Sequence, residues 1–401
     1  MHNKEMLGNK HIVFLGESGF PVGLATIQRL TLMARAFISQ GSKSTVICRK
    51  GVHVNRSKVN FPIQGNYEGI DYSYTSKSIY KPKGFLKRNV QKIKGMLGEY
   101  AALKTLKSTT GIDVIIISEM KVVHILRYWV FSRILKIPMV MNFVEMTSSM
   151  QHRSSPLRKL NDYILDNYVI KMFEGALPIS DKLVDYYHQL SPRKPNLKTP
   201  IICDFDKFDV QKTEMEPYFL YCGSFKYKEV RDFVIAAYKL IASDESMKLY
   251  MIVSGGSKAE TEALEAEVNR SLKTTPIKLF SNIPYSELIQ LYVNAKALLI
   301  PLRPTVQDAA RFPHKIGEYL ASGNPVVTTN IGEIKNYFEH EKTALIAESY
   351  DLEAFATQMK FIVDNPQKSE VIGENGQNMG RSEFDYRMLG ENLSKFVDDL
   401  S

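Results

Sequence analysis

Cysteine is scarce in this sequence of 401 residues, and its distribution excludes two classes of protein. Cys48, Cys203 and Cys222 are far apart and form no C-x-x-C pair, so we expect neither a disulfide framework nor a zinc site. Long hydrophobic runs are also missing, because no window approaches the roughly 18 apolar residues of a membrane span. A polar start followed by the short apolar run His11 to Leu15 predicts a first strand rather than a signal peptide. We therefore expect a cytoplasmic protein.

Acidic residues are outnumbered, since 52 Lys and Arg against 43 Asp and Glu give a net charge of +9. Such a balance predicts anionic partners, and no zinc-finger or RNP pattern supports nucleic acid among them. The excess is concentrated in residues 81–107, which hold eight Lys and Arg and the single acid Glu99. Four apolar residues recur there at helical spacing: Leu86, Val90, Ile93 and Leu97. Two interpretations stay open, a helix that meets an anionic membrane surface or one that packs this stripe inside the protein.

Both halves of the chain alternate short apolar runs with helical segments, which predicts an α/β protein of two Rossmann-like domains that face a cleft. We place the first domain in residues 1–205 and the second in residues 206–382, followed by a C-terminal helix in residues 383–401. The first strand leads into a loop that contains Gly19 and Gly23. Its spacing is not G-x-G-x-x-G and no acid follows about 20 residues on, which disfavours a nicotinamide site.

The most informative stretch runs from Pro301 to Glu333. It follows Ala297–Ile300, an apolar run that predicts a buried parallel strand. Residues 315–322 predict a helix that ends at Gly323 and Pro325, and residues 326–329 predict the next strand. The start of this helix then faces the carboxyl edge of the sheet, where open α/β sheets bind ligands and helix N–H groups suit phosphate.

The side chains of this stretch fit a nucleoside diphosphate. Cations are provided by Arg303, Arg311, His314 and Lys315. Glu318 lies one turn beyond Lys315, where a carboxylate can accept two hydroxyl hydrogen bonds from a ribose.

The string F-P-x-K-x-x-E-Y-L-A-S-G-x-P-V-V, at Phe312 to Val327, resembles the C-terminal signature of retaining, GT-B-fold glycosyltransferases of family 4. That family usually has two glutamates separated by seven residues; here Glu318 takes the second position and Ala310 the first. The resemblance implies a GT-B fold, with two Rossmann-like domains facing a central cleft and a terminal helix that crosses back to the first domain.

The resemblance also implies an activity. A sugar would move, with retention, from a UDP- or GDP-linked donor to a hydroxyl of a saccharide or polyprenyl-linked saccharide, in surface polysaccharide or glycolipid biosynthesis. No D-x-D motif marks a metal site, because Asp204-Phe205-Asp206 aligns with the family's linker, so no metal or other cofactor is expected. The enzyme would lie in the cytoplasm, either free or on the inner face of the cell membrane. Two rivals stay open: another GT-B enzyme, such as an inverting transferase or a nucleotide-sugar epimerase, and a catalytically silent nucleotide-binding scaffold.

Roles for individual residues follow from the resemblance. Glu145, at the end of a predicted strand, would face the acceptor, although such an acid can equally cap the next helix. Ser224 replaces an Arg of the family, and Arg303 or Arg311 is expected to compensate. Catalytic roles are predicted for Glu145, Lys228 and Lys315. Donor binding is predicted for Gly19, Gly23, Gly223, Ser224, Lys228, Gly255, Ile283, Arg311, Phe312, Pro313, His314, Lys315 and Glu318.

Overall fold

The computed structural model describes residues 10–23, 25–54, 59–150, 155–241, 247–270 and 277–400. Its α/β architecture confirms the predicted fold class. The chain divides into two compact units, Met1–Ile202 with Tyr386–Ser401 and Cys203–Asp385.

The first unit is built on a seven-stranded sheet of order β3-β4-β2-β1-β5-β6-β7. All its neighbours are parallel except the antiparallel pair β3 and β4. The strands are β1 (His11–Leu15), β2 (Lys43–Cys48), β3 (Gln64–Tyr67), β4 (Ile70–Tyr74), β5 (Val114–Ile117), β6 (Met139–Phe143) and β7 (Gly175–Pro178). The helices that follow in this part of the chain are α1 (Ala25–Ser39), α2 (Phe85–Thr109), α3 (Val122–Leu135), α4 (Pro156–Asn167) and α5 (Asp181–Leu190).

The second unit contains a six-stranded, wholly parallel sheet of order β10-β9-β8-β11-β12-β13. Its strands are β8 (Tyr218–Ser224), β9 (Lys248–Ser254), β10 (Ile277–Phe280), β11 (Ala297–Ile300), β12 (Val326–Thr329) and β13 (Leu345–Ala347). Its helices are α6 (Lys228–Ile241), α7 (Lys258–Asn269), α8 (Tyr285–Asn294), α9 (Val306–Ala310), α10 (Lys315–Ala321), α11 (Ile334–Tyr337), α12 (Leu352–Asp364) and α13 (Pro366–Phe384).

Strand order fixes where each sheet can bind a ligand. In the first unit the chain winds from β1 to β2 on one side and to β5 on the other, so the order reverses between β1 and β5. In the second unit it reverses between β8 and β11. Loops that leave the carboxyl ends of strands at such a reversal diverge and form a crevice. Each unit therefore has one preferred ligand edge.

The last helix, α14 (Tyr386–Asp398), belongs to the first unit and packs on α1. Gly390 allows this packing, because a Cβ there would lie 2.5 Å from the carbonyl oxygen of Ala36. The Arg35 guanidinium lies 4.3 Å above the ring of Tyr386 and donates a 2.8 Å hydrogen bond to its hydroxyl. Leu393 and Phe396 complete the buried core of the first unit.

Helix α2 corrects one interpretation of its basic sequence. Its apolar stripe is not packed inside the described protein, because Leu86, Val90, Ile93 and Leu97 are 77%, 50%, 54% and 70% exposed. Gly95, Glu99 and Leu103 face inward instead. None of the helices in the described ranges is both long and apolar enough to span a bilayer.

Candidate functional site

Most residues predicted for the donor site lie at the ligand edge of the second unit. Gly223 and Ser224 end β8, and Lys228 begins α6. The loop after β11 contains a short helix, α9, which the sequence did not predict and whose N-cap is Thr305. Arg311, Phe312, Pro313 and His314 connect α9 to α10, which begins at Lys315 as expected.

Glu318 is held by two tyrosines of α8. Tyr285 donates its hydroxyl to Oε1 of Glu318 over 3.2 Å, and Tyr292 donates to Oε2 over 3.5 Å. Burial raises the pKa of Glu318, and the nearby charge of Lys315 together with the two tyrosine hydrogen bonds opposes this rise. A carboxylate whose two oxygens are already aligned has remaining lone pairs for ligand hydroxyls.

A buried carboxylate organises the arginines of the loop. Asp308 is 1% exposed and accepts hydrogen bonds from Arg303 Nε over 2.9 Å and Nη2 over 3.2 Å. Arg311 Nη2 lies 2.7 Å from Oδ1 of the same residue. Burial alone would raise the pKa of Asp308, but the hydrogen bonds from Arg303 and the charge of Arg311 lower it. The loop therefore folds around a neutralised acid that sequence reasoning did not single out.

The two arginines differ in what they offer a ligand. Arg303 is 4% exposed, and its Nη1 also pairs with Glu229 over 3.1 Å. The charge of Arg303 is thus compensated by Asp308 and Glu229, which makes Arg303 a poor substitute for the family's missing Arg. The side chain of Arg311 is 19% exposed, and its guanidinium lies 5.3 Å from the ring of Tyr227. Its buried Nε has no hydrogen-bond partner among the described residues.

The loops after β8 and β9 approach each other closely. Phe225 N–H donates to the Ser254 carbonyl over 2.8 Å. Gly255 has a positive φ of +87°, and a Cβ on Gly256 would lie 2.8 Å from the ring of Phe225. Glycine is thus required for the contact at 256. Ser224 lies beside this turn, with its hydroxyl 3.4 Å from the Ser254 carbonyl.

Other predicted residues have different environments. Phe312 is 2% exposed and stacks on Tyr337 at a centroid distance of 5.6 Å, so its ring anchors the loop in the core. Lys228 is exposed at the start of α6. Ile283 is half-buried in the loop after β10, next to Asn282 with φ of +56°. Ala310, in the position of the family's first glutamate, is 1% exposed.

The remaining predicted residues belong to the ligand edge of the first unit. Gly19 follows β1, is buried and has φ of +126°. A Cβ on Gly23 would lie 2.3 Å from Ile27, so its surroundings leave no space for a side chain. Glu145 is half-buried two residues after β6. The helical turn that follows is capped by Asp166, which accepts the Ser148 N–H over 2.8 Å.

Tyr285, Tyr292 and Asp308 were missed by sequence reasoning. Only Asp308 had a signal, since it lies three residues after a Thr that could cap a helix and between two arginines. The sequence around Tyr285 and Tyr292 gives no sign of this role, because both are distant in the chain from Glu318 and only the fold brings them to it. Among the described residues, no group of three or more His, Cys, Asp or Glu could hold a metal ion.

Comparison with known proteins fits this geometry. Residues 204–379 match the family model described as glycosyl transferases group 1. No curated protein matches the chain. The fold is similar to that of a sucrose-phosphate synthase from Thermosynechococcus elongatus, with a TM-score of 0.73, 15% identity and coverage of 98% of this chain and 99% of that one.

Two further solved structures are similar. HepE from Anabaena, in complex with UDP-glucose, has a TM-score of 0.67, 13% identity and coverage of 97% of this chain and 99% of that one. A glycosyltransferase from Rickettsia africae has a TM-score of 0.68, 13% identity and coverage of 98% and 99%. The chain thus has the GT-B fold, and its second unit carries a group 1 glycosyltransferase domain. The protein is a glycosyltransferase.

Proposed function

We propose that this glycosyltransferase takes its sugar from a nucleoside diphosphate donor and transfers it with retention to a hydroxyl of a saccharide acceptor. The observation that carries the donor assignment is the pair of tyrosine hydrogen bonds to Glu318 at the ligand edge of the second unit. In this proposal the aligned carboxylate accepts both hydroxyls of the donor ribose.

The diphosphate needs positive charge, because negative charge develops on it as the bond to the sugar breaks. Arg311, Lys228 and Lys315 are the cations proposed to supply it, with Gly223 and Ser224 forming the adjacent backbone. Arg311 is suited to the role because its side chain is partly exposed, whereas that of Arg303 is buried. Lys315 lies one helical turn from Glu318, so one short helix would contact both ribose and diphosphate. We propose no metal in this step.

The acceptor hydroxyl is assigned to the first unit, where Glu145 is proposed to contact it. Retention is proposed on the resemblance of the sequence around Glu318, with the donor diphosphate oxygen as the base. An inverting transferase or an epimerase is the alternative, and the anomeric configuration of the isolated product separates these cases.

A lipid-linked acceptor is supported by the outward surface of the first unit. Helix α2 exposes Phe85 and Leu86 by 79% and 77%, beside the exposed cations Lys87 and Arg88. The only acid of this segment, Glu99, is turned inward and binds Arg127 and Tyr128, so the outward side of α2 has no negative charge. A surface that is apolar and positively charged complements an anionic bilayer.

Two neighbouring helices also expose apolar side chains. Helix α3 packs against both α2 and α4. Val123 on α3 is 74% exposed and Leu157 on α4 is 82% exposed. We therefore propose that the protein binds the inner face of the cell membrane through α2, α3 and α4, and acts there in surface polysaccharide or glycolipid assembly.

A thermal-shift screen against UDP, GDP, ADP and CMP tests the donor assignment. A ligand at 100 times its dissociation constant stabilises the folded state by about 2.7 kcal/mol. We expect a shift with UDP or GDP in the wild type and none in Glu318→Ala. Glu287→Ala, which removes an exposed carboxylate from α8, is the matched control and should keep the shift. A wild type that responds to no nucleotide contradicts the proposed donor.

Vesicle sedimentation tests the membrane surface. The wild type should bind vesicles that contain phosphatidylglycerol more strongly than vesicles of phosphatidylcholine alone. Lys87→Glu/Arg88→Glu should lose this preference, and Phe85→Ser/Leu86→Ser should weaken binding to both. The control Lys239→Glu carries a charge reversal on α6 of the second unit. Equal binding by all variants would refute the proposed membrane contact.

A further inference from the structure

More cations than acids lie at the ligand edge of the first unit. Arg49 and Lys50 directly follow β2, and Lys121 follows β5. One carboxylate, Glu119, pairs with Arg49 through a contact of 3.5 Å from Nη2 to Oε2. These four residues, which we call the first-unit cation cluster, lie beside the strand-order reversal between β1 and β5.

Arg49 is the fixed centre of the cluster. It is 4% exposed and is covered by α2, because Gly95 approaches so closely that a Cβ there would lie 2.0 Å from the Arg49 carbonyl oxygen. Its Nη1 has no hydrogen-bond partner among the described residues, although the atom is inaccessible to solvent. A buried guanidinium donor without a partner is costly, so the positive charge of Arg49 is only partly compensated by the described residues.

Lys50 and Lys121 are held near Arg49 without acids of their own. Within the described part of the chain, neither ammonium group forms an ion pair. Burial lowers the pKa of Lys50, and the charges of Arg49 and Lys121 lower it further. Burial and the same cations lower the pKa of His124 to about 3, so this histidine is neutral. Like charges kept together in this way favour a bound anion.

The acids near the first-unit cation cluster do not neutralise its positive charge. Oε1 of Glu119 accepts the backbone N–H groups of Met120 and Lys121, and Oε2 faces Arg49. Glu17, after β1, has its pKa raised to about 7 by burial and by the charge of Glu119, so it carries less than a full charge at neutral pH. Three cations against the Glu119 carboxylate and the partly ionised Glu17 leave an excess of between one and two positive charges, which a bound phosphate monoester would neutralise.

We propose that the first-unit cation cluster binds a phosphate group of the acceptor. Lys50 and Lys121 would contact the phosphate oxygens from the open side, since Lys121 is exposed and Lys50 half-buried, and the buried Arg49 would contribute its positive charge. The inference rests on the proposed transfer function, because it names the acceptor class for the same enzyme. The phosphate is either that of a soluble sugar phosphate or that of a lipid-linked acceptor.

Calorimetric titration of the full chain, saturated with whichever of UDP and GDP shifts its Tm so that the donor site is occupied, tests the soluble source. The probes are inorganic phosphate, glucose 6-phosphate and, as a neutral control, glucose. Lys50→Gln/Lys121→Gln should weaken binding of the phosphate probes at least tenfold and leave glucose unchanged. The double variant Lys104→Gln/Lys182→Gln removes the same charge from exposed lysines of the first unit and should bind like the wild type. Arg49 is left intact because its burial makes substitution a risk to folding.

Vesicles test the lipid source. The wild type should prefer phosphatidic acid, a phosphate monoester, over phosphatidylglycerol at equal surface charge, and Lys50→Gln/Lys121→Gln should abolish this preference. Loss in either arm supports the site and identifies the source. Unchanged binding of both soluble probes and of phosphatidic acid in that variant overturns it. The nucleotide-induced shift in Tm, recorded for every variant with UDP and with GDP, distinguishes the two proposals. A shift without phosphate binding refutes only the cluster, whereas no shift with either nucleotide in the wild type refutes the donor assignment.

Discussion

Tyr285, the first residue of α8, donates its hydroxyl to Oε1 of Glu318 on α10 across 3.2 Å. The two helices precede different strands, β11 and β12, so this hydrogen bond joins two successive βαβ connections at one sheet edge. Tyr292, two turns further along α8, reaches the other oxygen of the same carboxylate. The orientation of Glu318 is therefore fixed before any ligand arrives.

The first prediction concerns this hydrogen bond. Tyr285→Phe removes it but keeps the ring, so the carboxylate loses one of its two orienting donors. We expect the affinity for the donor nucleotide to fall about tenfold, equivalent to about 1.4 kcal/mol. Isothermal titration calorimetry measures the change, and Tyr163→Phe on the exposed side of α4 is the control. An unchanged dissociation constant would show that Tyr285 does not prepare the site.

The second prediction concerns stability and pH. Burial raises the pKa of Glu318 in the folded state above its ordinary value of 4.5. The folded state then binds more protons than the unfolded state, so ionisation of Glu318 lowers the free energy of unfolding as the pH rises above 4.5. Glu318→Gln cannot ionise, and its Tm should exceed that of the wild type at pH 8 and approach it at pH 4. Loss of nucleotide binding should accompany this gain.

Thermal unfolding from pH 4 to pH 8 checks the sign of the effect. Glu287→Gln controls for removal of an exposed carboxylate from the same unit. A Glu318→Gln variant that is less stable than the wild type at pH 8 would show that the carboxylate stabilises the empty fold.

The third prediction separates Arg303 from Arg311. Arg303→Met leaves the buried Asp308 with one of its two cations, and breaking a buried ion pair costs about 3–5 kcal/mol. Arg311→Met should cost less, because Arg303 keeps its hydrogen bonds to Asp308 and the side chain of Arg311 is 19% exposed. Nucleotide affinity should fall more in Arg311→Met than in Arg303→Met.

Urea unfolding and nucleotide titration of both variants test this division. The double variant Arg303→Met/Asp308→Leu should recover much of the stability lost in Arg303→Met, because no buried acid is left with a missing partner. Equal loss of stability in both single variants would contradict the separate roles.

The fourth prediction concerns the ligand edge of the first unit. Gly16 has φ of +100°, and a Cβ there would lie 2.3 Å from the Ser118 carbonyl oxygen at the end of β5. Gly16→Ala should therefore destabilise the protein by more than about 2 kcal/mol, through both steric overlap and an unfavourable φ. Gly41→Ala is the matched control, since Gly41 has φ of +84° and open space around it. Chemical unfolding measures both, and similar losses would show that the contact with Ser118 is unimportant.

The sequence was sufficient for the fold class because its signals are local. Strand β5 is a run of four buried apolar residues, Val114–Ile117, as expected of a parallel strand covered on both faces. Ser180 caps α5 by accepting the Leu183 N–H, which is a local interaction between residues three apart in the sequence. The helix predicted from Lys315 begins at that residue and ends at Ala321, just before the predicted stop signals Gly323 and Pro325.

The sequence was insufficient where a local pattern has two possible environments. The apolar stripe of α2 has the same helical spacing whether it packs inside or faces solvent. Tertiary packing, such as that of Gly95 against Arg49, shows which side of α2 is buried. The choice between Arg303 and Arg311 was open for the same reason. Both follow β11 in sequence, and their contacts with Asp308 and Glu229 decide which of the two charges is compensated within the protein.

By itself the sequence determined the alternation of strands and helices, the stretch that begins at Pro301 and the position of Glu318 within it, because periodicity, caps and breakers are read from neighbouring residues. Tertiary structure alone brought Tyr285 and Tyr292 to Glu318, placed Asp308 between two arginines and left Arg49 buried among cations. These relationships join residues from separate strands and helices, and their distances depend on strand order and packing, which no local pattern specifies.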